Sequence, residues 1–133
     1  MNWSSAYAPL AQGNASSGIF SIAFRSGLHG IVVGGDYAKP SEPVGIAAWS
    51  GDGGEHWTSS TTQPHGYRSS VQYSESLKAW ITVGTNGSDI SRDDGRTWQS
   101  LGNGDWNALS LPFAVGPDGR IARLNPAALP PTK

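Results

Sequence analysis

Acidic, basic and imidazole groups crowd into two short stretches of this 133-residue chain. The first is Ser50-Gly51-Asp52-Gly53-Gly54-Glu55-His56-Trp57, the second Ser91-Arg92-Asp93-Asp94-Gly95-Arg96-Thr97-Trp98. Carboxylates beside a histidine or an arginine are the materials of acid–base or metal chemistry, so on residue type alone each stretch is a candidate centre. Their spacing points elsewhere. Ser50, Asp52, Gly54 and Trp57 recur as Ser91, Asp93, Gly95 and Trp98, 41 residues further on, and a pattern repeated in register describes architecture before it describes chemistry.

That architecture follows from what each residue does in a tight reversal. The aspartate accepts hydrogen bonds from backbone amides that a turn leaves unpaired. The glycine supplies a backbone conformation with positive φ that other residues resist. The tryptophan, just inside the next strand, folds back to bury a large apolar surface, its indole N–H finding a local acceptor. The motif reads as the clasp of a β-hairpin, and a period of about 40 to 45 residues is the mark of a propeller built blade by blade. Both copies resemble, without a gap, the Asp-box of BNR and sialidase-type β-propellers. The resemblance implies that the boxes join the third and fourth strands of a blade, away from the ligand face, and that Asp52 and Asp93 are structural.

The rest of the chain can be laid out around the two boxes. Apolar strands are expected at 18–24 and 31–35, a third at 44–49, and a fourth at 55–60 after the first box. The order repeats at 68–73, 79–84, 88–91 and 96–101, and a third round begins at 106–111, 113–116 and 119–124. Val33-Gly34, Val83-Gly84 and Val115-Gly116 end the second strand of each round. The expected fold is all-β, with antiparallel four-stranded blades at about 18–60, 67–101 and 106–124. Residues 2–8, where Trp3 opens a stretch like the strand after a box, complete the last blade. Residues 1–124 make the partial propeller; 125–133, with three prolines, is a tail. Three blades are too few for a ring, so the chain is expected to be a homo-oligomer in which two copies supply six blades, or a piece of a longer propeller.

Composition narrows the function classes. A formal charge of −1 and nine scattered basic residues argue against a nucleic-acid surface or an anionic membrane, and no apolar run is long enough to span a bilayer. With no cysteine, disulfide frameworks and thiolate metal sites are excluded. No basic-then-apolar leader opens the chain; the compartment is left open, with a secreted or periplasmic setting favoured. His29, His56 and His65 are too scattered to suggest a metal site, and no cofactor is expected.

In a four-stranded blade the loops from strand two to three and from strand four to the next blade emerge together, opposite the boxes. That face collects Asp36, Tyr37 and Lys39; Asn86, Ser88 and Asp89; His65, Tyr67 and Arg68; and Asp105, Trp106 and Asn107. Of these, Asp36, Tyr37, Lys39, Tyr67, Arg68, Asn86, Asp89, Trp106 and Asn107 are the candidate ligand residues, a mixture of aromatic, cationic and amide groups suited to a polar ligand. Arg68, at the start of an inner strand, is expected to point into a channel and take a carboxylate in bidentate fashion. A sialidase-like glycosidase needs three arginines on one carboxylate and a tyrosine paired with a glutamate. Arg92 and Arg96 fall on the box face, and Glu42, Glu55 and Glu75 pair with no tyrosine, so no catalytic residue is assigned.

Segments 18–24, 32–37, 66–69 and 119–124 are also similar to the C-terminal part of bacterial propellers described as photosystem II assembly-factor-like or glycosyl-hydrolase-like. That resemblance implies a non-catalytic scaffold recognising a protein segment or a glycan. The alternatives kept open are a sialidase-like glycoside hydrolase and a propeller fragment or assembly unit without a ligand.

Overall fold

A computed structural model describes residues 2–131. Eleven strands are present: β1 (Ser17–Phe24), β2 (Gly30–Asp36), β3 (Ala47–Ser50), β4 (Thr58–Ser59), β5 (Ser70–Ser74), β6 (Ala79–Gly84), β7 (Gly87–Ser91), β8 (Gln99–Gly102), β9 (Ala108–Ser110), β10 (Phe113–Val115) and β11 (Ile121–Arg123). They form three antiparallel meanders, β1-β2-β3-β4, β5-β6-β7-β8 and β9-β10-β11. The chain is therefore all-β, and its sheets pack in sequence, first on second and second on third, without closing a barrel or ring. Among the described residues no helix is long and apolar enough to cross a membrane.

Alternation of side chains along each strand sorts the core into layers. Ile31, Val33 and Ala47 of the first sheet meet Val71, Trp80 and Trp98 of the second in one buried cluster. From the opposite face of the second sheet, Ala79, Ile81 and Ile90 meet Leu109, Leu111 and Leu124 of the third unit. β2 and β6 are buried at every position, as expected of strands covered on both sides.

Glycine recurs at the end of β2 and β6 because the chain passes too close for a side chain. A Cβ on Gly34 would lie 1.9 Å from the carbonyl oxygen of Gly18, and one on Gly84 2.0 Å from that of Tyr67. These pinches seat the connection into the next sheet: the Gly34 carbonyl accepts from Arg68 N at 2.9 Å and the Gly84 carbonyl from Trp106 N at 3.0 Å.

The two repeated turns have the same hydrogen bonding. Ser50 Oγ donates to Asp52 Oδ1 and Ser91 Oγ to Asp93 Oδ1, both at 2.9 Å; each hydroxyl also accepts the amide of Gly54 or Gly95 at 2.9 Å. Each aspartate then accepts the amide four residues on, His56 N at 3.0 Å and Thr97 N at 2.9 Å. Gly54 and Gly95 have φ of +90° and +85°, the conformation the motif requires. Their tryptophans differ. The Trp57 indole donates locally, to Gly54 O at 2.9 Å, but that of Trp98 reaches the preceding sheet, to Ser60 Oγ at 3.1 Å. Ser60 Oγ in turn donates to Gly95 O, so the second turn is bolted to the first sheet.

Three expectations are corrected. Residues 2–8 form no strand and do not complete the third sheet, which has three strands. Ala8 and Leu10 pack instead on Val32, Ala48 and Trp57, on the outward face of the first sheet, held by Ala11 N to Gly45 O at 2.9 Å. The first sheet's third strand starts at Ala47 rather than Val44, since Gly45 turns the backbone at φ +66°. The segment 125–131 is no free tail: Leu129 packs against the second sheet's apolar face, and Arg92 Nη2 donates to Pro130 O at 2.9 Å.

Trp98 is 5% exposed, so Trp98→Ala should cost about 3 to 5 kcal/mol in chemical denaturation, the range for a buried aromatic. A loss under about 1 kcal/mol would contradict its place between the sheets.

Candidate functional site

The loops leaving β2 and β6 and the connections into β5 and β9 gather at one end of the sheets, opposite the repeated turns. The groups there fall into three parts. At the centre is Arg68, fully buried. Its Nε and Nη2 reach Asp89 Oδ2 at 2.8 and 2.6 Å, and its Nη1 donates to Tyr67 O at 2.7 Å and Asn86 Oδ1 at 2.6 Å. Asp89, itself only 2% exposed, meets His65 Nδ1 at 2.7 Å, while His65 Nε2 lies 3.1 Å from Asn103 Oδ1. His65 Nδ1 also lies 3.0 Å from Arg68 Nη2, so the ring nitrogen sits between the guanidinium and the carboxylate.

The second part is aromatic. Phe20, Tyr37 and Tyr67 meet edge to face, with centroids 5.3 Å apart for Phe20–Tyr67, 6.0 Å for Phe20–Tyr37 and 6.4 Å for Tyr37–Tyr67, the geometry the ring quadrupoles favour. Tyr67 is buried, and burial pushes its phenol above the ordinary value; Phe20 and Tyr37 stay 43% and 52% exposed. Asp36 anchors the loop that carries Tyr37. Its carboxylate accepts from Ser16 Oγ at 2.6 Å, Ala38 N at 2.9 Å and Asn14 Nδ2 at 3.4 Å, bonds that hold it below the usual range, Ser16 contributing most. Lys39 is exposed beyond it.

The third part is Trp106, whose indole lies under the Arg120 guanidinium at 4.3 Å. Beside it Asn107 is exposed, its carbonyl accepting from Ser69 Oγ at 2.7 Å.

The structure therefore brings Tyr67, Arg68, Asn86 and Asp89 into one network, joins Tyr37 to it through ring contacts, and leaves Trp106 and Asn107 to the side. The expectation for Arg68 is corrected: every N–H group of its fork is turned inward, and no part of it is open to a ligand carboxylate. Sequence reasoning placed His65 on this face without making it a site residue, and it missed Phe20. His65 stands three residues before Arg68, but its partner Asp89 is 24 residues on and meets it only across the β6-β7 hairpin. Phe20 is the extra residue where the β1–β2 register shifts between Ile19 and Ser21, an irregularity with no marker in the sequence.

The other arginines are engaged singly. Arg25 grips Asp94 with two bonds of 2.7 and 2.6 Å, and Arg92 holds the C-terminal segment. Arg96 covers Trp49 and Arg123 covers Phe113. Arg25 and Arg92 line one open pocket together with Tyr73, Glu75, Lys78 and Asp94, but no third arginine joins them there and the Arg25 fork is already taken by Asp94. At the first turn Asp52, Glu55 and His56 bring three possible metal donors within 4.8 Å, all exposed. His56 Nδ1 and Asp52 Oδ2 there already bond at 2.6 Å, which raises the imidazole; the His56 backbone and ring N–H groups hold Asp52 down to about 2.

Comparison with known proteins returns no matching family model, no matching curated protein and no matching solved structure.

Removing Arg68 strands Asp89 as a buried, unpaired charge, so Arg68→Ala should cost about 3 to 5 kcal/mol, whereas Arg68→Met with Asp89→Leu should cost much less than the two single changes combined. Urea unfolding of Arg68→Ala, of Arg68→Met and Asp89→Leu singly and of the two together checks this, and additive losses would contradict the pairing. Asp94 supplies a pH test. Arg25 holds its carboxyl at about 2, against an ordinary 3.8. A depressed carboxyl stabilises the fold above its unfolded value and loses that contribution as pH falls through the folded one. Stability should therefore drop between about pH 4 and 2, and Asp94→Asn should flatten that part of the acid-unfolding profile.

Proposed function

We propose that the chain is a non-catalytic binding module of the β-propeller type, its three sheets serving as blades, and that the end opposite the repeated turns recognises a protein segment or a glycan. One observation carries this reading. At the centre of that end Arg68 and Asp89 are buried against each other and His65, while the rings of Phe20 and Tyr37 remain about half exposed. Locked charges give a rigid floor, and exposed aromatic edges and faces give contact area at little entropic cost, the combination that binding surfaces favour. Lys39 and Asn107 are exposed at the same end and supply polar selectivity at its margin.

The internal repeat supports the propeller part of the reading. Each four-stranded sheet is a meander whose third and fourth strands are joined by the same Ser-Asp-Gly-Trp turn, and the first strands β1, β5 and β9 lie side by side. The hydrolase alternative has less support: Arg25 and Arg92 line one pocket with Tyr73 and Glu75, but only two arginines meet there, and each already has a partner within the protein, Asp94 for Arg25 and Pro130 O for Arg92.

A panel of soluble oligosaccharides and a displayed peptide library, read by tryptophan fluorescence and calorimetry, tests the proposal. The expected result is a binder whose affinity falls about tenfold or more, or roughly 1.4 kcal/mol, in Tyr37→Ala with the fold unchanged. Turnover of fluorogenic glycosides, or binding indifferent to Tyr37, would sink the reading.

A further inference from the structure

Trp98 fills the space between the first two sheets, in one cluster with Ile31, Val33 and Ala47 and bonded to Ser60. The second sheet has the corresponding set. Val33 pairs with Ala47 across β2-β3, and Val83 with Ser88 across β6-β7. Ser59 lies opposite Ala48, and Ser100 opposite Asp89. In this register Ile31, Val33, Ala47 and Ser60 correspond to Ile81, Val83, Ser88 and Leu101. Those four residues line a partly open apolar cavity of about 210 Å³ between the second and third sheets, with Trp106, Ala114, Ala122 and Leu129 on its other walls. It is larger than the roughly 150 Å³ that admits a benzene ring in an engineered core. The third sheet lacks the strand and the tryptophan that would fill it.

The chain carries a matching piece with no seat of its own. Trp3-Ser4-Ser5 repeats the pattern of Trp57-Thr58-Ser59 and Trp98-Gln99-Ser100, each the opening of a fourth strand. Trp3 is 83% exposed and Tyr7 92% exposed, and residues 2–7 stand clear of the core while Ala8 and Leu10 hold to the first sheet. β11 has an unpaired edge. The outward faces at the two ends of the stack are also apolar: Ile22 and Phe24 on the first sheet, Phe113, Val115 and Ile121 on the third.

We propose that residues 2–8 of a second copy of this chain add to β11 as the fourth strand of the third sheet, seating Trp3 in the cavity, and that the arm of the first copy does the same in return. The exchange rests on reading the sheets as successive units of one repeat, and it is independent of the ligand face. It pairs the third sheet of one copy with the first of the other. The contact joins different surfaces, so it closes into a ring where the rotation from copy to copy allows and otherwise grows without limit; with three sheets per chain, two copies close it as six. By the Ala48–Ser59 and Asp89–Ser100 registers, Ser5 lies opposite Ala122 of the other copy.

Because the chain has no native cysteine, Ser5→Cys with Ala122→Cys gives a clean crosslink. Mild oxidation should yield a covalent two-chain species on a non-reducing gel. Sedimentation of the unaltered protein should give a two-chain mass, which Trp3→Ala returns to one chain with its β-sheet circular dichroism intact. A crosslink within one chain, a ladder of larger species, or a single-chain mass for the unaltered protein at about 100 μM would overturn the exchange. Loss of ligand binding with the two-chain mass retained would count against the binding reading alone.

Discussion

The order of the sheets depends on how the open edges of their first strands are paired. A first strand has a neighbour on one side only, and an amide left bare at a buried edge is costly. In this chain the preceding sheet supplies the partner. Ser21 Oγ accepts Val71 N at 3.1 Å, Ser70 Oγ accepts Leu109 N at 3.2 Å, and Gln72 Oε1 accepts Leu111 N at 2.5 Å. The acceptors stand on β1 and β5 and the donors on β5, on β9 and just past the end of β9, so each sheet is aligned by the one before it, and apolar contact alone would not set that alignment.

The repeated turns act on the same problem from the opposite end. Within one hairpin, serine and aspartate satisfy the amides of the reversal. Between hairpins, Trp98 and Ser60 tie the second turn to the first sheet, and Arg25 reaches Asp94, whose other oxygen contact is the Trp80 indole at 3.0 Å. Edge amides and turn contacts together pin the interface between the first and second sheets along its length. The end opposite the turns can therefore be stiff although it is built from loops.

Much of this was legible in the sequence because the elements repeat. The apolar runs, the Val-Gly endings and the two turns locate all eleven strands, and the turn hydrogen bonds are those expected of aspartate and glycine. The serine's double role, donor to the carboxylate and acceptor from the glycine amide, was not anticipated. What failed depended on partners distant along the chain. Arg68 looks like a ligand group until Asp89 folds beneath it. Residues 2–8 read as a fourth strand, yet a pattern does not say which sheet, or which copy, it joins. The segment after 124 reads as a tail because its prolines exclude a strand, although Leu129 still has apolar surface to bury.

The interfaces are alike in plan and differ in detail. Arg25–Asp94 occurs only between the first and second sheets, and Gln72–Leu111 only between the second and third. Repeat proteins risk misassembly while they fold, since one hairpin can dock where its near-copy belongs. A half-buried arginine–carboxylate fork and a glutamine-to-amide bond cannot substitute for one another, so a sheet docked one place out of order would leave charge or amide unsatisfied. These two contacts act as address labels, giving near-identical sheets a single permitted sequence of assembly.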